Sequence, residues 1–155
     1  MAAVDLRPIT RAVIEDLIPR LRPLDRLELD CMTPGDPADR LAEMVARARR
    51  SRAAYMGGDL VCIFGVSAAS LAADVGCPWA LITRAVDRPD VRRELVADSR
   101  VALEWVGQDF RRLWNYVAAE NVTAIRWLKW MGFSFGGQEV VLQGHRFLHF
   151  EKETG

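Results

Sequence analysis

His145 and His149 are the side chains of this sequence best suited to hold a metal ion, and their spacing decides against it. A separation of four residues places two histidines on one face of a helix, where they can share a zinc ion. These two lie in an alternating, strand-like segment, where four residues span about 13 Å. Cys62 lies in an apolar run, where a small buried hydrophobic residue is more usual than a nucleophile. The sequence therefore favours neither a metal site nor thiol catalysis.

Arginine supplies nearly all of the positive charge, and it is clustered. The clusters are Arg20, Arg22 and Arg26; Arg47, Arg49, Arg50 and Arg52; and Arg92, Arg93, Arg111 and Arg112. On helices such clusters usually form a solvated face, and the alternative is a local anion or partner site. The 21 basic side chains equal the 21 acidic ones, so no general attraction to nucleic acid or to acidic lipid is expected.

The chain length and the number of cysteines limit the class of protein that this sequence can encode. A chain of 155 residues suffices for one compact domain and is short for two, so we expect a single domain over 1–155. Three cysteines without a C-x-x-C pair, after a start with no apolar leader, predict a reduced protein that is not exported by a classical signal. No apolar run approaches the roughly 20 residues of a membrane-spanning helix.

Hydrophobic periodicity predicts the elements that must position these side chains. Apolar residues three and four apart predict a helix over 11–29, which Pro19 and Pro23 must divide into two pieces. The Gly57-Gly58 pair between two apolar runs predicts a hairpin. The other predicted elements are strands at 4–9, 78–86 and 112–117, a helix capped by Asp36 before Pro37, helices at 89–110 and 122–131, and a hairpin turning at Gly144-His145.

The order of these elements predicts a mixed sheet. The strands before and after the long helix can pair only in parallel, through a crossover, whereas the hairpins must be antiparallel. We therefore expect an α/β fold with a mostly antiparallel central sheet and helices on both faces.

The segment 113–133 carries the most specific motif of the chain. Asn121 is a good N-cap for a helix beginning at Val122, and Gly132 can supply the left-handed residue that ends it. The spacing of Asn121, Ala124, Trp127, Leu128, Gly132 and Phe133 resembles the N-x-x-A-x-x-L-Y-x-x-x-G-F pattern of the GNAT acyltransferase fold. The predicted order of elements resembles that fold too. The resemblance implies a GNAT-like sheet whose fourth and fifth strands form a parallel pair.

A narrower resemblance concerns a small family of short-tailed bacteriophages, the internal virion protein A family. It is carried by "LWNYV", "IRWLK" and the short C-terminal hairpin, and by Arg22, Asp25 and Glu28 in an R-x-x-D-x-x-E spacing. The resemblance implies a virion-associated protein of particle morphogenesis that binds phage structural proteins. It would act in the host cytoplasm during assembly and be retained in the virion in some cases. Of Trp127 and Trp130, we expect one to face solvent as a contact residue.

The cofactor site of GNAT proteins is degenerate here. Their Q/R-x-x-G-x-G/A turn lets backbone amides approach the pyrophosphate of acyl-CoA. The corresponding turn, "TRAVDRPDVRREL", has no glycine, Asp87 and Asp90 add negative charge, and Pro89 removes an amide donor. The tyrosine that often acts as general acid is replaced by Leu128, and Tyr116 belongs to the preceding strand. We therefore expect no bound cofactor.

Two hypotheses account for these features. The first is a non-catalytic pseudoenzyme that acts by protein–protein binding in virion assembly. The second is an active acyl-CoA-dependent N-acetyltransferase, with acetyl-CoA in the opening between strands 79–86 and 113–117. For the second, the cofactor-binding candidates are Arg88, Arg92, Arg93 and Asn121, with Arg84 as a further cation, and the general base is Glu28 or Glu104. The sequence does not select between these two carboxylates.

Overall fold

One sheet of eight strands organises the computed structural model, which describes residues 4–69 and 74–155. The strands are β1 (Val4–Arg7), β2 (Arg50–Met56), β3 (Asp59–Ala68), β4 (Val75–Ile82), β5 (Arg112–Ala118), β6 (Ser134–Phe135), β7 (Val140–Leu142) and β8 (His145–Glu153). Their order in the sheet is β1-β2-β3-β4-β5-β8-β6, and β7 also pairs with β8. The pairs are antiparallel except β4–β5, which is parallel. The predicted fold class is confirmed.

Helices cover both faces of this sheet. They are α1 (Arg11–Leu17), α2 (Pro23–Met32) and α3 (Pro37–Arg47) on the first face, and α4 (Pro89–Gly107) and α5 (Val122–Trp130) on the second. Leu17, Leu41 and Ile63 are fully buried between the first three helices and the sheet. Val106 and Leu113 are buried under the last two. Each face therefore has its own hydrophobic core.

The helix boundaries coincide with the prolines and with the predicted capping residue Asp36. The helical pattern at 11–29 is divided at Ile18–Arg20, a short 3-10 turn that contains Pro19, and α2 begins at Pro23. The Asp36 carboxylate accepts the Asp39 amide hydrogen at 3.0 Å and caps α3. Prolines and caps were thus sufficient to place these ends.

Three strand predictions need correction. The strand predicted at 78–86 is β4, which begins at Val75 and ends at Ile82, because the Thr83 side chain caps a 3-10 turn at Arg84–Asp87. The first strand ends at Arg7, before Pro8, instead of at residue 9. The two-residue strand β6 was not predicted, since it is too short to show an alternation of its own.

The parallel strands β4 and β5 pair at only two positions, fewer than the other neighbouring strands in the middle of the sheet. Their register consists of Val75 opposite Arg112 and Gly76 opposite Leu113. Beyond these residues the two strands part, although both continue for several residues. The sheet therefore contains an internal gap whose two edges belong to β4 and β5.

A glycine in β3 makes room for the indole that lies beside this gap. A Cβ on Gly65 would lie 2.6 Å from both the Arg50 carbonyl oxygen and Cζ2 of Trp79. A backbone oxygen cannot yield as the end of a flexible side chain can. Only glycine therefore allows Trp79 to lie across β3 at this position.

We expect Gly65→Ala to lower the free energy of unfolding by about 1–3 kcal/mol through this overpacking. Urea denaturation measures the loss. Gly107→Ala is the comparison, because its Cβ would meet only side-chain carbons of Thr154 and Leu113, at 3.2 and 3.3 Å. Equal stability of wild type and Gly65→Ala would contradict the packing described.

Candidate active site

Polar side chains take the place of the missing strand pairing in the gap between β4 and β5. Asn115 bridges the two edges, because its Nδ2 donates to the Pro78 carbonyl at 2.8 Å and its Oδ1 accepts the Tyr116 amide hydrogen at 2.8 Å. Pro78 itself has no amide hydrogen that would need a partner. One asparagine therefore satisfies the backbone groups nearest to the point where the strands part.

Two carboxylates on α2 close the far end of the gap. Asp25 accepts the Ile82 amide hydrogen of β4 at 2.8 Å, and Glu28 accepts the Ala118 amide hydrogen of β5 at 3.2 Å. A spacing of three residues puts both side chains on one side of the helix. The helix α2 therefore holds one edge of the gap with each carboxylate.

Asp25 is held by a second partner. Nη1 of Arg22 donates to its Oδ1 at 3.1 Å, and the Arg22 amide also donates to the Ile82 carbonyl at 3.0 Å. The Asp25 residue is only 4% exposed. Asp25 is thus a buried, doubly bonded anchor, and it offers little room for a substrate.

Glu28 has a different environment, because its two oxygens are not equivalent. Its Oε1 accepts both the Ala118 amide and Nδ2 of Asn121, the latter at 2.9 Å. Its Oε2 has no hydrogen-bond partner in residues 4–69 and 74–155. Glu28 is partly exposed. One oxygen is therefore fixed and the other is available to exchange a proton.

The pKa values of both carboxyl groups are raised. Burial raises the pKa of Asp25 from its ordinary value of 3.8 to about 6, against the opposing effects of the Ile82 amide and the Arg22 charge. Burial is also the largest cause that raises the pKa of Glu28 from 4.5 to about 7, and the neighbouring Asp25 charge adds to it. The bond from Asn121 acts in the opposite direction. A carboxylate with a pKa near 7 is suited to act as a general base at neutral pH.

Asn121 supports this carboxylate from the start of α5. It is 2% exposed, its Oδ1 accepts the Ala124 amide hydrogen at 3.3 Å as the helix cap, and its Nδ2 bonds to Glu28. Both ends of the amide are therefore used within the protein. Contact of Asn121 with a cofactor stays a prediction.

The other two candidates for proton transfer, Glu104 and Tyr116, lie in different places, and so does Leu128, which stands at the family's tyrosine position. Glu104 is exposed on α4, about 18 Å along the helix axis from Arg92 near its start. Leu128 is buried in the core of the second face. Tyr116 is half-buried on β5, on the face covered by α2. Of the two candidate bases, Glu28 alone is at the gap.

The candidate phosphate-binding arginines surround the start of α4. Nη1 of Arg88 forms an exposed ion pair with Asp59 at 3.0 Å, and Nη1 of Arg92 donates to the Val86 carbonyl at 3.3 Å. Arg93 is exposed, and so are Asp87 and Asp90. Any diphosphate bound here would depend on these arginine side chains, since the turn has no glycine.

The edge of β4 retains one free backbone position. The Thr83 amide donates to Val61 of β3, whereas the Ile82 amide donates to Asp25 on the gap side. Orientations alternate along a strand, so the N–H and C=O groups of Ala80 face the gap as those of Ile82 do. An extended chain that contains amides can pair with this position. The β4 edge of the gap therefore offers one backbone position at which such a chain could pair.

Two surface cavities lie outside the gap. One, of about 440 Å³, lies between α2 and the β7–β8 turn and is lined by residues that include Cys31 and His145. The other, of about 720 Å³, lies between α3 and the end of β3. Neither cavity is lined by Asp25, Glu28 or Asn115.

The sequence missed Asp25 and Asn115 as site residues. The R-x-x-D-x-x-E spacing did contain the relevant pattern, because it places two acids one turn apart on α2. Nothing local shows that these acids reach β4 and β5, which follow more than 50 residues later. Asn115 likewise looks like an ordinary strand residue until the gap beside it is known.

Solved structures of acetyltransferases share this fold. The spermidine N-acetyltransferase of Vibrio cholerae, solved with CoA and spermine, matches 97% of this chain and 95% of its own at a TM-score of 0.70 and 14% identity. A ribosomal-protein-alanine N-acetyltransferase from Brucella melitensis matches 96% and 99% at 0.67 and 16%. A GNAT-family acetyltransferase from Streptococcus pneumoniae matches 99% and 100% at 0.65 and 16%. The chain therefore has the GNAT fold.

Sequence comparison adds no family. No protein-family model matches the chain, and no curated protein sequence does. The expected GNAT-like fold is confirmed, whereas no finding links the chain to virion proteins. Within the described ranges, none of the helices is both long enough and apolar enough to cross a membrane.

The raised pKa of Asp25 predicts a pH-dependent stability. From about pH 4 to about pH 6 the folded protein keeps a proton that the unfolded chain releases, so the contribution of Asp25 falls as pH rises. The fall is on the order of 2–3 kcal/mol. The measurement is urea unfolding at intervals between pH 4 and pH 7, for wild type and Asp25→Asn. The stability of wild type relative to Asp25→Asn should fall with rising pH, and a constant difference would contradict the assignment.

Proposed function

We propose that this protein is an acyl-CoA-dependent N-acyltransferase in which Glu28 is the general base. The observation that supports the proposal is the setting of Glu28 at the gap between β4 and β5. One of its oxygens is fixed by Ala118 and Asn121, the other is available, and its pKa is about 7. The acetyltransferases that share the fold make this chemistry the best account of such a carboxylate.

In the proposed reaction, Glu28 would accept one proton from the acceptor, and other residues would bind the cofactor. Acetyl-CoA, when bound, supplies the acetyl group as a thioester. Oε2 of Glu28 takes a proton from the ammonium form of the acceptor and leaves a neutral amine with a free lone pair. The Ala118 amide and Asn121 keep Oε1 in place during this transfer and favour the ionised carboxylate. Asp25, doubly bonded, keeps α2 in position against β4.

The cofactor would be held at two places. The amide-bearing arm would pair with the backbone of Ala80 inside the gap. The phosphates would lie at the start of α4, where Arg88, Arg92 and Arg93 supply positive charge through their side chains. This phosphate site would differ from one built on glycine amides, and its affinity would depend strongly on salt.

Replacement of the base tests the proposal most directly. We expect Glu28→Gln to lower kcat/KM by roughly 10²–10⁴-fold, because glutamine keeps the shape and cannot take the proton. Wild-type activity should rise with pH through about 7, as the carboxylate forms, and the residual activity of Glu28→Gln should lack this rise. The measurement is release of free CoA thiol with a panel of amines.

The matched control for this experiment is Glu104→Gln, which removes an exposed carboxylate from α4. Its activity should equal that of wild type. A similar loss in both variants, or full activity in Glu28→Gln, would show that Glu28 is not the base. Circular dichroism should show that both variants are folded.

Cofactor binding can be measured without turnover. We expect isothermal titration to show micromolar binding of acetyl-CoA and of CoA, weakened at least tenfold in Arg92→Ala/Arg93→Ala, since two phosphate contacts are lost. Arg126→Ala/Lys129→Ala, on α5, removes as much positive charge from an exposed surface. Equal weakening in both double variants would indicate a general charge effect, and silence at millimolar ligand would refute the enzyme proposal.

The second candidate is a virion-assembly protein that binds phage structural proteins without catalysis. The feature that favours it is the indole of Trp130, which is 43% exposed on α5 and lies under the Arg100 guanidinium at 3.8 Å. An exposed tryptophan beside arginine is typical of a contact surface between proteins. Co-purification with particle proteins, lost in Trp130→Ala, would support this candidate, and acetyl-CoA turnover would favour the enzyme.

A further inference from the structure

Three rings on the first face of the sheet form what we call the aromatic platform: Trp114, Tyr116 and His149. Trp114 stacks on His149 with ring centroids 5.4 Å apart. Tyr116 meets both rings edge-on, at 5.5 Å from His149 and 5.7 Å from Trp114. Tyr116 and His149 are direct cross-strand neighbours of β5 and β8, so the sheet itself fixes their arrangement.

Trp114, unlike Tyr116, is not explained by packing against a core cluster. In the described part of the chain, Trp79, Trp105 and Trp127 pack against the hydrophobic clusters, whereas Trp114 packs against none of them. Trp114 is nevertheless only partly exposed. Its partly exposed ring could therefore stack against a flat ligand.

The platform lies on the same face as α2 and next to the candidate base. Tyr116 precedes Ala118, whose amide holds Glu28, by two residues, which is about 7 Å along the strand. Tyr116 also packs against the cluster that contains Cys31 of α2. Across the gap, Trp79 lies on the same face of β4. The Tyr116 end of the platform is therefore the end nearest to Glu28.

The charges around the platform do not favour a polycation. Four nearby carboxylates, on α2, before α5, before β7 and on β8, are paired within the protein, whereas Glu153 at the end of β8 is exposed and lies outside these pairs. The pairs are Asp30 with Arg26, Glu120 with His145, Glu139 with Arg146, and Glu151 with Arg112. A polyamine needs several free carboxylates along its length, and Glu153 does not supply several. The flat rings are the recognition element that remains.

We propose that the acceptor is an arylalkylamine, whose ring packs on Trp114 and Tyr116 of the platform while its amino group reaches Glu28; His149, covered by Gly137, supports Trp114 from below. Trp114 and Tyr116 thereby determine acceptor specificity. The proposal rests on the proposed acyltransferase function for its chemistry, and it predicts binding of the amine whether or not cofactor is present.

The test compares three amines of different shape and charge. 2-Phenylethylamine carries the flat ring, 2-cyclohexylethylamine has the same length and charge without it, and spermidine is the polycation. Dissociation constants are measured by titration calorimetry without cofactor, and kcat/KM with acetyl-CoA. We expect the phenyl compound to be favoured over the cyclohexyl compound by roughly two- to tenfold, as for other aromatic pairs, and over spermidine by more.

Variants show whether the platform causes this preference. Trp114→Leu keeps an apolar side chain and removes the ring, so the preference for phenyl over cyclohexyl should disappear. Tyr116→Leu should reduce it independently, which keeps the test valid if one variant does not fold. Trp130→Leu removes another partly exposed tryptophan, on α5 and away from the platform, and should keep the full preference.

The outcomes separate this proposal from the function on which it rests. Turnover of spermidine in preference to 2-phenylethylamine would overturn the acceptor assignment and leave the acyltransferase function standing. A phenyl preference that survives in both Trp114→Leu and Tyr116→Leu would overturn it too. Absence of CoA binding would refute the enzyme proposal, whereas binding of 2-phenylethylamine that depends on Trp114 would still locate the amine site.

Discussion

The structure depends on two hydrogen bonds that join α2 to the sheet, from the Ile82 amide to Asp25 and from the Ala118 amide to Glu28. Both amides lie near the end of a strand that has no pairing partner on the gap side, because β4 and β5 pair at only two positions. A buried amide without a partner costs about 1–3 kcal/mol. By supplying two acceptors one helical turn apart, α2 stabilises a sheet that is open in its middle.

Burial strengthens these hydrogen bonds, and it also raises the pKa values of the two carboxyl groups. A low dielectric strengthens a bond to an amide and, at the same time, disfavours the charge of the acceptor. Asp25 balances this with Arg22, whereas Glu28 has only neutral donors and keeps its proton up to about pH 7. Two acids on one helix turn therefore take different roles, one structural and one suited to proton transfer.

The fold was predictable from local patterns, and the site was predictable only in part. Prolines and capping residues such as Asp36 and Asn121 placed the helices, and the motif after β5 resembles GNAT proteins. The site escaped because it is made of long-range contacts. Asp25 meets its strand partner across 57 residues and Glu28 meets its own across 90. The expectations from the missing glycine turn and from Leu128 concerned the start of α4 and the core of the second face, and neither region includes Glu28.

Pro78 has a consequence for how anything extended can lie along β4. Its nitrogen cannot donate, its carbonyl accepts from Asn115, and the amide and carbonyl of Ile82 are bonded to Asp25 and to the Arg22 amide. Ala80 alone is left between them. A chain that adds to this edge cannot slide by two residues and find equivalent bonds, as it could on an ordinary exposed strand. The gap thus admits a single register, and this protects the open sheet from pairing with other strands.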